Sequence, residues 1–123
     1  MRLGAVVLDS GNAEQLAEFY QQLLGWTKHR NKMGFLYLSD GGDGIRLLFQ
    51  EDAHYERPTW PSEQGRQQQM THLDFYVDDL AREVSHAISC GAELAAVQYS
   101  EFWRVLIDPA GHPFCMAQIP AKK

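Results

Sequence analysis

The chain has 123 residues, 45% hydrophobic and 22% charged, which is the ordinary composition of one globular domain with a buried core. Its 16 acidic and 11 basic residues give a net charge of −5, which argues against binding nucleic acid through a basic face. No apolar run is typical of a membrane span or a secretion signal, and the two cysteines suit neither a disulfide framework nor a zinc module, so we expect a reduced, cytoplasmic protein.

The first fifty residues predict one strand, one helix and three further strands. Residues 3–9 are apolar and β-branched, as in a strand. Asn12 suits the N-cap of a helix, Gly25 suits its end, and the apolar residues between them recur at helical spacing. Turn residues then separate three predicted strands, at 26–30, 35–39 and 45–50.

The same order of elements returns after a polar loop. Residues 72–78 predict a strand, Asp78 or Asp79 can cap the helix that follows, and Gly91 ends it. Three more strands are predicted at 93–98, 102–107 and 113–119.

The repeated order predicts an α+β fold built from two βαβββ modules in a single domain, residues 1–123. Module one covers residues 1–50, the connecting loop 51–69 and module two 70–119. A single module leaves one face of its sheet uncovered, so we expect the two modules to form a curved mixed sheet around a cleft, with the helices outside.

Polar residues alternate with apolar ones along the first strand of module two. Alternation puts His72, Asp74 and Tyr76 on one face, and the apolar face should pack on the helices, so these three side chains should line the cleft. Histidine is an acid or base near neutral pH, and Asp74 could tune it. We predict His72 and Asp74 as catalytic candidates and Tyr76 as a ligand-binding residue. The alternative for His72 is a local hydrogen bond at the strand end.

Three further residues are ligand-binding candidates. Trp103 lies on a strand and could form one wall of a pocket, or it could pack in the core. Trp60 lies in the loop segment RPTWP and could act as a lid or as a dimer contact. Cys115 could bind a ligand, although a free cysteine in a strand is more often a small buried residue.

Four segments resemble the vicinal oxygen chelate superfamily, the group of glyoxalase I, bleomycin-resistance proteins and extradiol dioxygenases. They are AEFYQQLLGW (17–26), HLDFYVDDL (72–80), CGAEL (90–94) and WRVLIDPAGHPFCM (103–116). The segments look most like the glyoxalase-like domains of that superfamily. The resemblance covers nearly the whole chain and implies the fold, but it does not specify a reaction.

The resemblance also implies where a metal would bind. In metal-using members the ligands come from the first and last strands of each module, and here those positions hold Leu3, Leu47, His72 and Cys115. Only His72 and Cys115 could ligate, which is fewer than the three protein ligands of catalytic zinc. We therefore predict no metal ligands and no cofactor, with a divalent metal held through His72 as the alternative.

These observations favour a protein that binds a small organic molecule in its cleft without a complete catalytic metal site. The alternative is a lyase, isomerase or dioxygenase that uses His72 as a metal ligand or an acid–base group. A third possibility is an assembly module whose cleft is filled by side chains, namely Leu3, Ala5, Val7, Leu47 and Phe49. The resemblance implies a homodimer. The expected partners are thus a small ligand and a second copy of the chain, with no nucleic acid and no membrane.

Overall fold

A computed structural model describes residues 1–119, which fold into eight strands and two helices. Module one contains β1 (Ala5–Ser10), α1 (Ala13–Leu24), β2 (Thr27–Arg30), β3 (Leu36–Ser39) and β4 (Arg46–Glu51). Module two contains β5 (Asp74–Val77), α2 (Leu80–Cys90), β6 (Glu93–Leu94), β7 (Trp103–Ile107) and β8 (Pro113–Gln118). The predicted α+β class and the two βαβββ modules are confirmed. Each module is a compact unit, the first ending at Glu56 and the second beginning at Arg57.

The helices begin and end at the residues that the sequence predicts. Asn12 accepts a hydrogen bond from the backbone N–H of Gln15, and Asp79 accepts one from Arg82, so each side chain caps a helix N-terminus. Gly25 has a φ of 71° and ends α1 in the left-handed conformation that favours glycine. Neither helix in residues 1–119 combines the length and apolar character that a bilayer crossing requires.

The sheet of module one has the strand order β1-β4-β3-β2, with β1 parallel to β4 and the other pairs antiparallel. Helix α1 contacts β3 and β4, and the rings of Tyr20 and Phe49 are 6.1 Å apart. Leu47 and Phe49 are only 5% and 2% exposed, because both side chains face α1. The expectation that these two residues line a cleft is therefore wrong.

The sheet of module two has the same plan, with the order β5-β8-β7-β6 and β5 parallel to β8. Phe75 packs edge-on against Phe114, with 5.8 Å between ring centroids. On the same face of β8, the side-chain oxygen of Gln118 accepts a hydrogen bond from the backbone N–H of Leu80 at the start of α2. These contacts place the apolar face of the sheet under α2 and leave His72, Asp74 and Tyr76 on the opposite face.

Strand β6 is shorter than the predicted strand at 93–98. The side chain of Gln98 donates hydrogen bonds to the carbonyls of Ala95 and Val105 and accepts one from the N–H of Val105. A side-chain amide thus satisfies backbone groups that a longer strand would have paired, and the strand ends at Leu94.

Candidate functional site

The parallel pairing of β5 with β8 brings the chemically active residues of module two together. Asp74 lies opposite Cys115 in the register of these strands, so both side chains emerge on the face opposite α2. The backbone N–H of Cys115 bonds to the carbonyl of Leu73, which extends the ladder toward His72. His72 therefore shares that face with Asp74, two residues further along the chain.

His72, Asp74 and Cys115 form a cluster of three donor groups. The Nε2 atom of His72 is 3.2 Å from Oδ1 of Asp74, and one ligand atom from each of the three residues lies within 4.8 Å of the others. The side chains of His72 and Asp74 are 55% and 48% exposed, whereas Cys115 is half-buried. Within residues 1–119, no other group of three His, Cys, Asp or Glu side chains converges in this way.

The thiol of Cys115 is held in its neutral form. The pKa of Cys115 is raised from 9.0 to about 11, by burial first and then by the negative charge of Asp74 and a hydrogen bond to its carboxylate. At neutral pH the thiol therefore keeps its proton and donates a hydrogen bond to Asp74, which also lies beside the imidazole of His72. A protonated thiol is a poor nucleophile, so this environment favours binding chemistry over covalent catalysis at Cys115.

A small pocket lies beside the cluster, and all its lining residues belong to the compact unit that begins at Arg57. The pocket encloses about 40 Å³. Because a water molecule needs about 10–15 Å³ of such space, the pocket can hold one functional group of a ligand and not a whole drug-sized molecule. The lining has an apolar part, Trp60, Val105 and Pro113, and a polar part, Ser62, Gln69, His72 and Cys115.

The connecting loop contributes Trp60 and Gln69 to this pocket. The Trp60 ring packs edge-on against Tyr99, with 6.2 Å between centroids and an interplanar angle of 81°. The side-chain N–H of Gln69 donates a 2.7 Å hydrogen bond to the carbonyl of Pro113, the first residue of β8. The loop is therefore tied to the strand that carries Cys115.

Tyr76 and Trp103 lie on the same face as the cluster but do not border the pocket. Both residues pair with Ala117 of β8, which lies two residues after Cys115 on that strand. Tyr76 is 74% exposed and Trp103 is 40% exposed. Trp103 is thus no core residue, and the two rings form an exposed aromatic surface next to the site.

The corresponding positions of module one carry different chemistry. In module two, Asp74 of β5 pairs with Cys115 of β8, which lies 41 residues further along the chain. In module one, Ala5 of β1 pairs with Arg46 of β4 at the same separation. Arg46, and not Leu47, is therefore the counterpart of Cys115. Its guanidinium lies 4.7 Å over the Tyr37 ring, and an arginine does not ligate metals.

The donor set of module two is compatible with a metal ion. Adjacent ligand atoms around tetrahedral zinc are about 3.3 Å apart for bonds of ~2.0–2.1 Å, close to the 3.2 Å between His72 and Asp74. Imidazole, carboxylate and thiolate are all zinc ligands, although Cys115 would first have to release its proton. These residues would supply three protein ligands, one more than the two that the resemblance predicts.

The fold and the site define the class of protein. The chain is an α+β protein of the vicinal oxygen chelate class. It has two βαβββ modules, and in module two polar side chains lie on the sheet face opposite the helix. The family model of the glyoxalase-like domain matches residues 5–117, so the chain belongs to that family.

Solved structures share this fold at low sequence identity. An enzyme of the glyoxalase/bleomycin resistance protein/dioxygenase family from Burkholderia phytofirmans PsJN aligns with a TM-score of 0.65 and 20% identity, over 98% of this chain and all (100%) of that one. A glyoxalase-related enzyme from Fulvimarina pelagi gives a TM-score of 0.67 and 18% identity, over 97% and 88%. The trypanothione-dependent glyoxalase I of Leishmania major gives 0.64 and 15%, over 96% and 86%. Among curated protein sequences, none is significantly similar to this chain.

Several pocket residues are absent from the predicted site. Val105 alternates with Trp103 on β7, so its position on this face follows from strand periodicity. Ser62 and Gln69 lie in an irregular loop, where no periodic signal tells which side chains turn inward. The contact between Asp74 and Cys115 depends on the register of two strands that are distant in sequence.

Proposed function

We propose that this protein binds a small organic molecule whose polar head group enters the pocket beside His72, without a resident catalytic metal. The observation that carries the proposal is the pair His72 and Cys115 on the wall of a pocket large enough for a single functional group, with Asp74 beside both side chains. Imidazole and neutral thiol supply hydrogen bonds, and the apolar wall formed by Trp60, Val105 and Pro113 supplies contact area.

The roles of the individual residues follow from their exposure and contacts. His72 is exposed enough to meet a ligand directly, and Asp74 lies close enough to orient the imidazole. Cys115 acts through its protonated thiol as part of the pocket wall. Tyr76 and Trp103 offer ring faces to the part of a ligand that extends beyond the pocket.

A fragment titration tests this function. Chelator-treated, ¹⁵N-labelled protein would be titrated with benzyl alcohol, benzamide and benzoate, and the amide signals followed by NMR. We expect saturable shifts at His72, Val105 and Cys115, with affinity reduced about tenfold by His72→Ala, which removes a hydrogen bond to the ligand. The matched control is His86→Ala, on the surface of α2. If no fragment perturbs those three amides, the proposal fails.

The three converging donors favour a second candidate, a metal-dependent lyase, isomerase or dioxygenase. His72, Asp74 and Cys115 would hold the ion, and a bound divalent ion would supply Lewis-acid polarisation of a substrate oxygen. Calorimetric titration of zinc and ferrous iron separates the two candidates. Stoichiometric, micromolar or tighter binding that disappears in His72→Ala and Cys115→Ser, but persists in Cys90→Ser, would replace the metal-free proposal.

The homodimer and the cytoplasmic location stay predictions. Trp60, the predicted dimer contact or lid, has its ring against Tyr99 and borders the pocket. We propose that the protein is a homodimer on the strength of the family resemblance. Light scattering after gel filtration would give its mass, and a monomer at micromolar concentration would contradict the proposal.

A further inference from the structure

Two side-chain atoms beside the pocket have unused hydrogen-bonding capacity. Nε1 of Trp60 and Oε1 of Gln69 are shielded from solvent and have no hydrogen-bond partner among residues 1–119. One is a donor and the other an acceptor. Native proteins contain few unpaired buried polar atoms, and those that remain call for an explanation. Here both side chains border the same 40 Å³ pocket.

Both atoms are held in fixed positions. The N–H group of Gln69 bonds to the carbonyl of Pro113, which sets the plane of the amide and the direction of its free oxygen. The indole of Trp60 is held against the ring of Tyr99, and the backbone of its neighbour Thr59 bonds to Gln67 across the loop. A donor and an acceptor that are already in place lose little freedom when a ligand meets them, so they suit recognition.

We propose that the loop atoms Trp60 Nε1 and Gln69 Oε1 bind an uncharged ligand group that accepts one hydrogen bond and donates another. A primary carboxamide and the amide edge of a lactam are groups of this kind. This inference rests on the proposed function and names the ligand class for the same pocket. The carbonyl of such a group accepts from the indole N–H, and its N–H donates to the glutamine oxygen. A pocket of this volume has room for one group of that size.

The charges around the pocket favour an uncharged group. A carboxylate has no proton for Gln69 Oε1, and it would meet the negative charge of Asp74, which lies beside Cys115 on the pocket wall. An ammonium group has no acceptor for the Trp60 N–H. Each ion therefore leaves one buried atom unpaired, which costs binding energy that a carboxamide retains.

The indole N–H of Trp60 reports directly on this contact. The chain has three tryptophans, so a ¹⁵N spectrum contains three indole signals, and Trp60→Phe identifies the one that matters. Titration of the wild-type protein with benzamide should shift that signal saturably, whereas benzoate and toluene should bind at least about tenfold more weakly. Trp60→Phe should weaken benzamide binding about tenfold. The matched control Trp26→Phe, at a tryptophan that does not line the pocket, should change it less than about twofold.

The outcomes separate this inference from the proposed function. If benzamide shifts the amides of His72 and Cys115 but leaves the Trp60 indole unmoved, the inference is wrong and the binding function stands. The same holds if benzoate or toluene binds as tightly as benzamide. If none of the probes, benzyl alcohol included, perturbs the pocket, both proposals are refuted. Where Trp60→Phe fails to fold, Trp26→Phe and Trp103→Phe identify the Trp60 indole signal by elimination, and the wild-type titration then decides these cases.

Discussion

The thiol of Cys115 offers a quantitative test of its contact with Asp74. Its pKa is raised from 9.0 to about 11, by burial first and then by the charge and hydrogen bond of Asp74. At pH 9 a thiol with that raised pKa is only about 1% ionised, whereas an ordinary cysteine thiol is roughly half ionised. Since the thiolate is the reactive form, Cys115 should react with iodoacetamide far more slowly at pH 9 than an ordinary cysteine does.

Replacing Asp74 removes two of the three causes of this shift. In Asp74→Asn the carboxylate charge and its hydrogen bond are lost but the burial of the thiol remains, so the pKa of Cys115 should fall to a value between 9.0 and 11. The alkylation rate at pH 9 should rise several-fold, below the limit of about 50-fold that a fully ordinary thiol would reach. The difference between the pKa of Cys115 in Asp74→Asn and the ordinary value of 9.0 is the part of the shift that is due to burial.

The assay is the pH dependence of alkylation in a Cys90→Ser background, where Cys115 is the single thiol of the chain. The control is Asp78→Asn, an exposed carboxylate roughly 13 Å further along the strand direction. A rate profile that is the same in Asp74→Asn and wild type would refute the contact between Asp74 and the thiol. An equal change in Asp78→Asn would mean that overall charge, and not this contact, sets the pKa.

Three further predictions concern stability, each measured by urea unfolding. The free energy of unfolding should fall between about pH 9 and pH 11, because the unfolded chain releases the Cys115 proton at pKa 9.0 and the folded chain keeps it to about 11. Cys115→Ala should flatten this pH dependence. An unchanged pH dependence in that variant would mean that Cys115 does not cause it. Gly111→Ala should cost at least about 1–2 kcal/mol, because Gly111 has φ 95° and a Cβ there would lie 3.0–3.1 Å from atoms of the Arg57 side chain. Adding Arg57→Ala to this variant should recover only part of the loss. Full recovery would mean that the left-handed backbone of residue 111 does not strain an alanine. Asp108→Ala should cost on the order of 3 kcal/mol, because this 2% exposed carboxylate accepts hydrogen bonds from two backbone N–H groups and lies 2.7 Å from His112 Nδ1. Asp108→Asn, which keeps an acceptor oxygen, should cost less, and equal losses would contradict a stabilising role for the two accepted hydrogen bonds on their own.

The fold was readable from the sequence where local chemistry decides it. Asn12, Gly25 and Gly91 mark helix ends through their own side chains or backbone freedom, and these positions hold in the structure. The assignment of Leu47 to the site failed because it depends on which face of β4 meets the helix. The packing of α1 on β4, where Tyr20 meets Phe49, decides that face, and no residue next to Leu47 in sequence reveals it.

The site was readable to the same extent. His72 lies two residues before Asp74, the first residue of β5, so alternation along the predicted strand at 72–78 puts both on a common face. The sequence does not show that Cys115 joins them, because that contact needs the register between two strands far apart in the chain. Nor does it show Gln69 at the pocket, since one long-range hydrogen bond to Pro113 holds that side chain in place.

The connecting loop is fastened at both ends to the same short stretch of chain. Arg57 donates a 2.9 Å hydrogen bond to the carbonyl of Pro109, and Gln69 donates to that of Pro113, only four residues further on. The exposed tip around Gln64 and Gly65 therefore lies between two hydrogen-bonded residues, Arg57 and Gln69, which we call the anchors of the loop. Lengthening such a tip adds little closure entropy, about 0.6 kcal/mol for each doubling. An affinity tag or a fluorescent reporter peptide inserted there would extend the loop outward while both anchors stay where they are, which makes residues 64–65 a permissive insertion site for engineering.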